Sequence, residues 1–203
     1  MRVLLFSSSS GSRGGGELYL LNLSQGLLSA GHDVLPVLSS NPQMDELSLK
    51  FSVLGLPAHR IEYKNTYLRK TRCLGASVDN CTQRRIAEFL ATQQADIVHI
   101  NQQTVEDAMD LLLAGHLAQV AAVTTVHQPA SMQGLRATGG RVRDFIARRA
   151  FCRSKIDAIA VSHASSRQLA CAWNSDWVKA QCSRQSHWER IHQSYNRFMS
   201  ILR

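Results

Sequence analysis

Two hydrophobic patterns take turns along this chain. Short apolar runs bounded by polar or glycine-rich turns alternate with longer stretches in which large apolar residues recur every three or four positions. The first run, 2–6, is closed by Ser7-Ser8-Ser9-Ser10-Gly11, and its length and flanks predict a strand buried on both faces. Gly14-Gly15-Gly16-Glu17 follows. Leu18, Leu20, Leu21, Leu23, Leu27 and Leu28 then keep helical spacing as far as Gly31, a residue that ends helices cheaply in the left-handed conformation. Residues 32–38 predict a second strand, stopped by Ser39-Ser40-Asn41-Pro42. A short helix is expected within 44–56, closed by Gly55 and Pro57, and a short third strand over 60–63. Over 64–80 the pattern dissolves. Lys64, Arg69, Lys70 and Arg72 lie there among tyrosines and small residues, which reads as a mobile basic loop.

The alternation then resumes. Residues 82–94 predict a helix with Ile86, Phe89 and Leu90 on one face, and 95–100 a strand of the buried type, after which Asn101, Gln102 and Gln103 cluster. A helix over 105–118 and a strand over 120–126 lead to His127-Gln128-Pro129. A loop over 131–140 is followed by a helix over 141–153, with Val142, Phe145, Ile146 and Ala150 expected inside. A sixth strand over 155–161 ends at Ser162. Strand–helix alternation of this kind predicts an α/β fold: a Rossmann-like parallel sheet with helices on both faces. Residues 171–183 show no such pattern. Residues 186–202 predict an amphipathic helix with Trp188, Ile191, Tyr195, Phe198, Met199 and Leu202 along one side. The expected division is therefore a domain over 1–166 and a carboxyl-terminal helical tail over 167–203.

Candidate chemistry follows from topology. In open parallel sheets ligands bind outside the carboxyl ends of the strands, where Gly14, Gly15, Gly16, Asn101, His127 and Ser162 are all expected. Amides at a glycine-opened helix start attract anions, phosphate above all. Two nucleotide signatures fail: the dinucleotide fingerprint has Tyr19 where its last glycine belongs, and no Gly-Lys-Ser/Thr triplet exists for a phosphate loop. Glu17, in a first helical turn, offsets the helix dipole without needing a catalytic role. His99 lies within a strand and reads as a core histidine. For His127, a structural cap and a functional role are both open.

Four stretches carry a family resemblance. Gly14-Gly15-Gly16-Glu17 with Ala30-Gly31-His32-Asp33-Val34, then Asp96-Ile97-Val98-His99-Ile100-Asn101, Val123 and Thr125 alternating up to His127, and Asp157 to Ser162 together resemble the GT-B glycosyltransferases, particularly the retaining family four. The usual proline before the Val123 strand is absent. The resemblance implies transfer of a sugar from a nucleotide-sugar donor to a sugar or lipid acceptor. In that reading Gly14, Gly15 and Gly16 turn amides toward the departing diphosphate, His127 acts on the transferred sugar, and Asn101 and Ser162 contact donor phosphate or acceptor. The 64–80 region corresponds to one that shapes the acceptor site. The resemblance covers the amino-terminal domain only. The family's second domain, with its glutamate pair and basic pair for the donor, has no counterpart here, as if deleted between Arg167 and His187. These 203 residues are therefore expected to be weakly active or inactive alone.

Composition narrows the rivals. The net charge of +8 and pI near 9.7 fit either a solvated basic surface or an anionic partner. No zinc-finger spacing or aromatic-interleaved basic motif points to nucleic acid. The five cysteines are odd in number and lack Cys-x-x-Cys spacing, so no metal, no disulfide framework and a cytoplasmic location are expected. No cofactor is expected. The most apolar stretch, 111–126, is broken by His116 and Gln119 and is too short to span a bilayer, which leaves peripheral membrane contact open. A non-catalytic binding module is the alternative function. A nucleotide-cofactor oxidoreductase is disfavoured by Tyr19. Oligomeric state is not legible in the sequence.

Overall fold

The computed structural model describes residues 1–8 and 14–172. Among them, six strands form one wholly parallel sheet. β1 (Arg2–Ser7) is central, flanked on one side by β2 (Asp33–Ser39) and then β3 (His59–Ile61). On its other side lie β4 (Ile97–Thr104), β5 (Ala122–Gln128) and β6 (Asp157–Ala160), giving the order β3-β2-β1-β4-β5-β6. This is the doubly wound Rossmann order, and its direction reverses between β1 and β4. The α/β sheet expected from the alternation is the one observed.

Alternation along β1 explains the two layers. Val3 and Leu5 face a core shared with α1 (Gly15–Ser29), α2 (Asp45–Val53) and β2, through Leu20, Leu27, Phe51 and Leu38. Leu4 and Phe6 face the other core, built with α3 (Arg72–Val78), α4 (Asn80–Thr92), α5 (Met109–Ala118) and α6 (Gly140–Ser154), through Ala76, Ile86, Leu112 and Phe151. All these side chains are essentially buried. At roughly 1.5–3 kcal/mol for each large apolar side chain buried, these faces dominate the stability of the fold.

Four expectations need correction. The basic stretch expected as a mobile loop is ordered: a 3₁₀ turn, Thr66–Leu68, precedes α3, and Arg69 is held 2.8 Å from both Asp79 and Asp110. The fourth strand continues through Asn101, Gln102 and Gln103. Polar residues extend it because their amides find partners: Thr124 Oγ1 donates to Gln102 Oε1 at 2.6 Å, and Gln102 Nε2 donates to the Asp107 carbonyl. α5 starts at Met109, four residues later than expected. The Asp107 carboxylate accepts from the Gln103 and Ala108 amides (3.2 and 2.9 Å) and holds residues 105–108 in a turn. Finally, Val142 and Phe145 point outward from α6, 63% and 64% exposed, while Arg143 turns inward to the buried Glu106. α7 (His163–Ala172) runs across the expected domain boundary at position 166. The amphipathic helix expected over 186–202, the patternless 171–183 stretch from 173 onward, and the serine-glycine turn over 9–13 lie outside the described residues.

Candidate functional site at the carboxyl edge of the sheet

Parallel strands bring the ends of β1, β4, β5 and β6 to one edge. Here Gly14 precedes α1 in extended conformation and donates its amide to Glu17 Oε2 at 2.9 Å. The first amides of any helix lack acceptors within it, so α1 offers its opening N–H groups to this edge. Its glycines differ in purpose. A side chain on Gly15 would meet nothing within 4 Å. One on Gly16 would reach within 2.5 Å of Gln103 Nε2 and 3.3 Å of Asn101 Nδ2. Gly16 is glycine because the β4 amides press against it.

That contact begins a chain of hydrogen bonds across the switch between β1 and β4. Asn101, fully buried, donates from Nδ2 to the Gly16 carbonyl at 3.2 Å, and its Oδ1 lies 2.6 Å from His127 Nε2. With Nδ2 committed to a carbonyl, Oδ1 must accept, so Nε2 of His127 carries the proton and Nδ1 keeps a free lone pair. Burial lowers the His127 pKa below its ordinary value, against an opposing pull from the Glu17 carboxylate, so the ring is neutral at pH 7. Tyr19 stands edge-on to the ring, with centroids 5.2 Å apart, and its hydroxyl is 3.1 Å from Thr125 Oγ1. Thr125 Oγ1 also contacts His99 Nε2 at 3.2 Å. His99 is fully buried, and desolvation, reinforced by repulsion from His127 once that ring is protonated in acid, pushes its pKa down to about 3. It is a neutral core histidine, as expected from its place inside a strand.

The structure thus joins three of the expected site residues, Gly16, Asn101 and His127, and puts Gly14 and Gly15 beside them. Ser162 is committed elsewhere at this edge: its Oγ accepts the Ser165 amide at 3.1 Å and contacts Ser165 Oγ at 2.9 Å, as a cap for α7.

Sequence reading missed an acidic group behind the site. Asp107 is buried, takes a hydrogen bond from Ser8 Oγ, and has its pKa pushed up to about 6 by burial. Glu106 is 1% exposed and accepts two hydrogen bonds from Arg143, the Nε one at 2.7 Å. The signal was present, since an acidic pair just before an apolar helix reads as a turn or cap, but a helix placed from 105 absorbed it. A cavity of about 680 Å³ opens at this edge between Tyr67, Arg72, Glu106 and Gln128. A larger one, about 920 Å³, lies at the opposite edge, where β4, β5 and β6 begin. In parallel sheets it is the carboxyl ends of the strands that carry ligand sites.

A doubly wound sheet with a glycine-opened helix at its switch point and a histidine at the end of β5 defines a Rossmann-like domain, and a family comparison says of which class. The chain belongs to glycosyltransferase family 4, whose profile matches residues 13–180. No curated protein matches it significantly. Among solved structures it resembles a UDP-N-acetylglucosamine 2-epimerase from Listeria monocytogenes, with TM-score 0.52 and 11% identity, over 86% of this chain and 43% of that one. It also resembles the spinosyn forosaminyltransferase SpnP, with TM-score 0.50 and 14% identity, over 81% of this chain and 47% of that one. At such identities the likeness is one of fold. The chain spans less than half the length of either structure.

Proposed function

We propose that residues 1–166 form the acceptor-side domain of a sugar transferase that uses a nucleotide-sugar donor. The observation that carries this reading is the hydrogen-bonded line from the Gly16 carbonyl through Asn101 to His127, at the switch point of the sheet. It holds a neutral imidazole with an outward acceptor atom beside a helix start suited to phosphate. In this reading the opening amides of α1, at Gly15 and Gly16, face the departing diphosphate, the expected Gly14 amide being already donated to Glu17 Oε2, and His127 Nδ1 accepts from a hydroxyl of the transferred sugar. Asn101 positions His127, and Ser162 orders the neighbouring helix. Such a site works by orientation and by stabilising developing charge.

These 203 residues alone supply half of that geometry, so little or no turnover is expected from them by themselves. Well-placed orientation is worth roughly 7–11 kcal/mol of barrier, and losing half of it slows turnover by a factor of hundreds or more. Ligand binding without turnover, in the cavity walled by Tyr67, Arg72, Glu106 and Gln128, is the second reading. A cytoplasmic setting suits the free thiols Cys73, Cys81 and Cys152. Among the described residues no helix is long and apolar enough to cross a membrane. The test is calorimetry of the purified chain with a panel of nucleotide-sugars, followed by a donor-consumption assay with sugar and lipid acceptors. Weak diphosphate-dependent binding lost in His127→Ala is expected. Steady turnover by the chain alone would overturn the half-site reading.

A further inference from the structure

The cavity at the carboxyl edge has a charge balance that the sugar-transfer reading does not require. Its wall carries three cations, Lys70, Arg72 and Arg143, against a single carboxylate, Glu106. Glu106 is buried and committed to Arg143 through two hydrogen bonds. Arg72 Nη1 is 3.9 Å from the same carboxylate, too far for a hydrogen bond, and its side chain is half exposed. Arg72 is nonetheless held in place, because its guanidinium lies 5.9 Å from the centre of the Tyr67 ring. The Tyr67 hydroxyl is fixed in turn, 2.9 Å from Thr104 Oγ1 at the end of β4, and burial raises its pKa to about 12, so it stays a neutral donor or acceptor. Lys70 is exposed and, among the described residues, has no carboxylate within ion-pair distance. Two positive charges are therefore left over in a concave wall, one of them braced over an aromatic ring. Gln128, the residue after His127, lies in the same wall.

Arg72 sits in the left-handed region, at φ +46°, where a side chain is disfavoured and glycine is at ease. From there its guanidinium lies over the Tyr67 ring.

We propose that this cavity binds a phosphomonoester carried by the acceptor, with Lys70 and Arg72 as its counter-charges. The inference rests on the sugar-transfer reading for the word acceptor. The two spare cations match the nearly doubly negative charge of a phosphomonoester at pH 7. The cavity volume lies within the range of small-molecule sites. The phosphate belongs either to a soluble sugar phosphate or to a phosphomonoester lipid headgroup, which present the same chemistry.

The experiment follows backbone and side-chain resonances of the full 203-residue chain during titration with glucose 6-phosphate, inorganic phosphate and glucose. Vesicles of phosphatidylcholine, with and without phosphatidic acid, form a separate arm. Wild type is compared with Lys70→Gln and Arg72→Gly. Glycine relieves the left-handed backbone, so the second variant should melt no lower than wild type. The expected result is glucose 6-phosphate binding that fades with salt and weakens roughly tenfold or more in each variant, with glucose silent. Phosphatidic acid binding that is lost in the same variants would assign the headgroup, and glucose 6-phosphate binding alone the soluble acceptor. Binding unchanged in both variants, equal binding of glucose, or no response to any phosphate probe would overturn the proposal. UDP and GDP, read at His127, keep the two readings separate. A response at His127 without one at Lys70 and Arg72 sinks this inference and leaves the transferase reading. The reverse leaves the anion site and sinks that reading.

Discussion

Replacing His99 with leucine should change the pH dependence of stability in a way that its packing alone cannot explain. In the unfolded chain a histidine titrates near its ordinary 6.5, whereas buried His99 holds out until about 3. The native state therefore binds fewer protons than the unfolded state between those values, and stability is lost as pH falls through that window. At about 1.4 kcal/mol per pH unit the full penalty is ~5 kcal/mol, of which a little over 2 kcal/mol falls between pH 6.5 and 4.5. His99→Leu removes this slope. It costs roughly 1 kcal/mol at pH 7.5 through the lost contact with Thr125, whose hydroxyl keeps Tyr19 as a partner. Asp107 and Asp110, raised to about 6 by burial, act with the opposite sign: they lose stability as pH rises through that value. They titrate in both proteins, so the difference between wild type and variant isolates His99. Urea titrations of the two at pH 7.5, 6.5, 5.5 and 4.5 should show the variant less stable at neutral pH, the gap closing and then reversing with acid. A gap that stays constant across the series would refute a neutral, buried His99.

Three further outcomes follow. Arg143→Met leaves Glu106 buried with only the weakly donating Cys73 thiol and the distant Arg72, which should cost about 3–5 kcal/mol and lower Tm by roughly 10 °C in calorimetry; pairing it with Glu106→Met should recover most of the loss. Asn101→Leu should convert the single Nε2-protonated form of His127, seen in long-range proton–nitrogen spectra, into a mixture of tautomers, at a stability cost of about 1–3 kcal/mol. Gly15→Ala meets open space and should stabilise the chain by about 0.5 kcal/mol in urea melts, whereas Gly16→Ala must displace the Gln103 amide and should not.

Where apolar alternation and glycine placement decide the structure, the sequence could be read directly. Val3 and Leu5 against Leu4 and Phe6 already imply two cores, and the strand ends place Gly16, Asn101 and His127 at one edge. Errors arose where a polar partner far along the chain overrides local pattern. Phe145 and Val142 read as core, yet α6 is rotated so that Arg143 meets Glu106, 37 residues earlier. The arginines of 64–80 read as a solvated loop because nothing local shows that Asp79 and Asp110 will clamp Arg69. Asn101 illustrates the same limit. Its position was legible, but its role as a link between Gly16 and His127 depends on two contacts at separations of 85 and 26 residues.

The reversal of strand order beside β1 also governs how this chain acquires its shape. Every pairing is parallel, so no strand can close on its neighbour through a tight turn, and each needs a crossover first. β1 finds β2 some thirty residues further along the chain, but its other edge waits for β4, whose first paired residue is Ile97. Until then, the unpaired side of Val3 to Ser7 is an apolar edge open to any passing strand. Such long-range closures slow folding, and unpaired edges invite association between nascent chains. The geometry that creates the crevice for ligands also leaves the central strand half-covered until the ninety or so residues between β1 and β4 have been made.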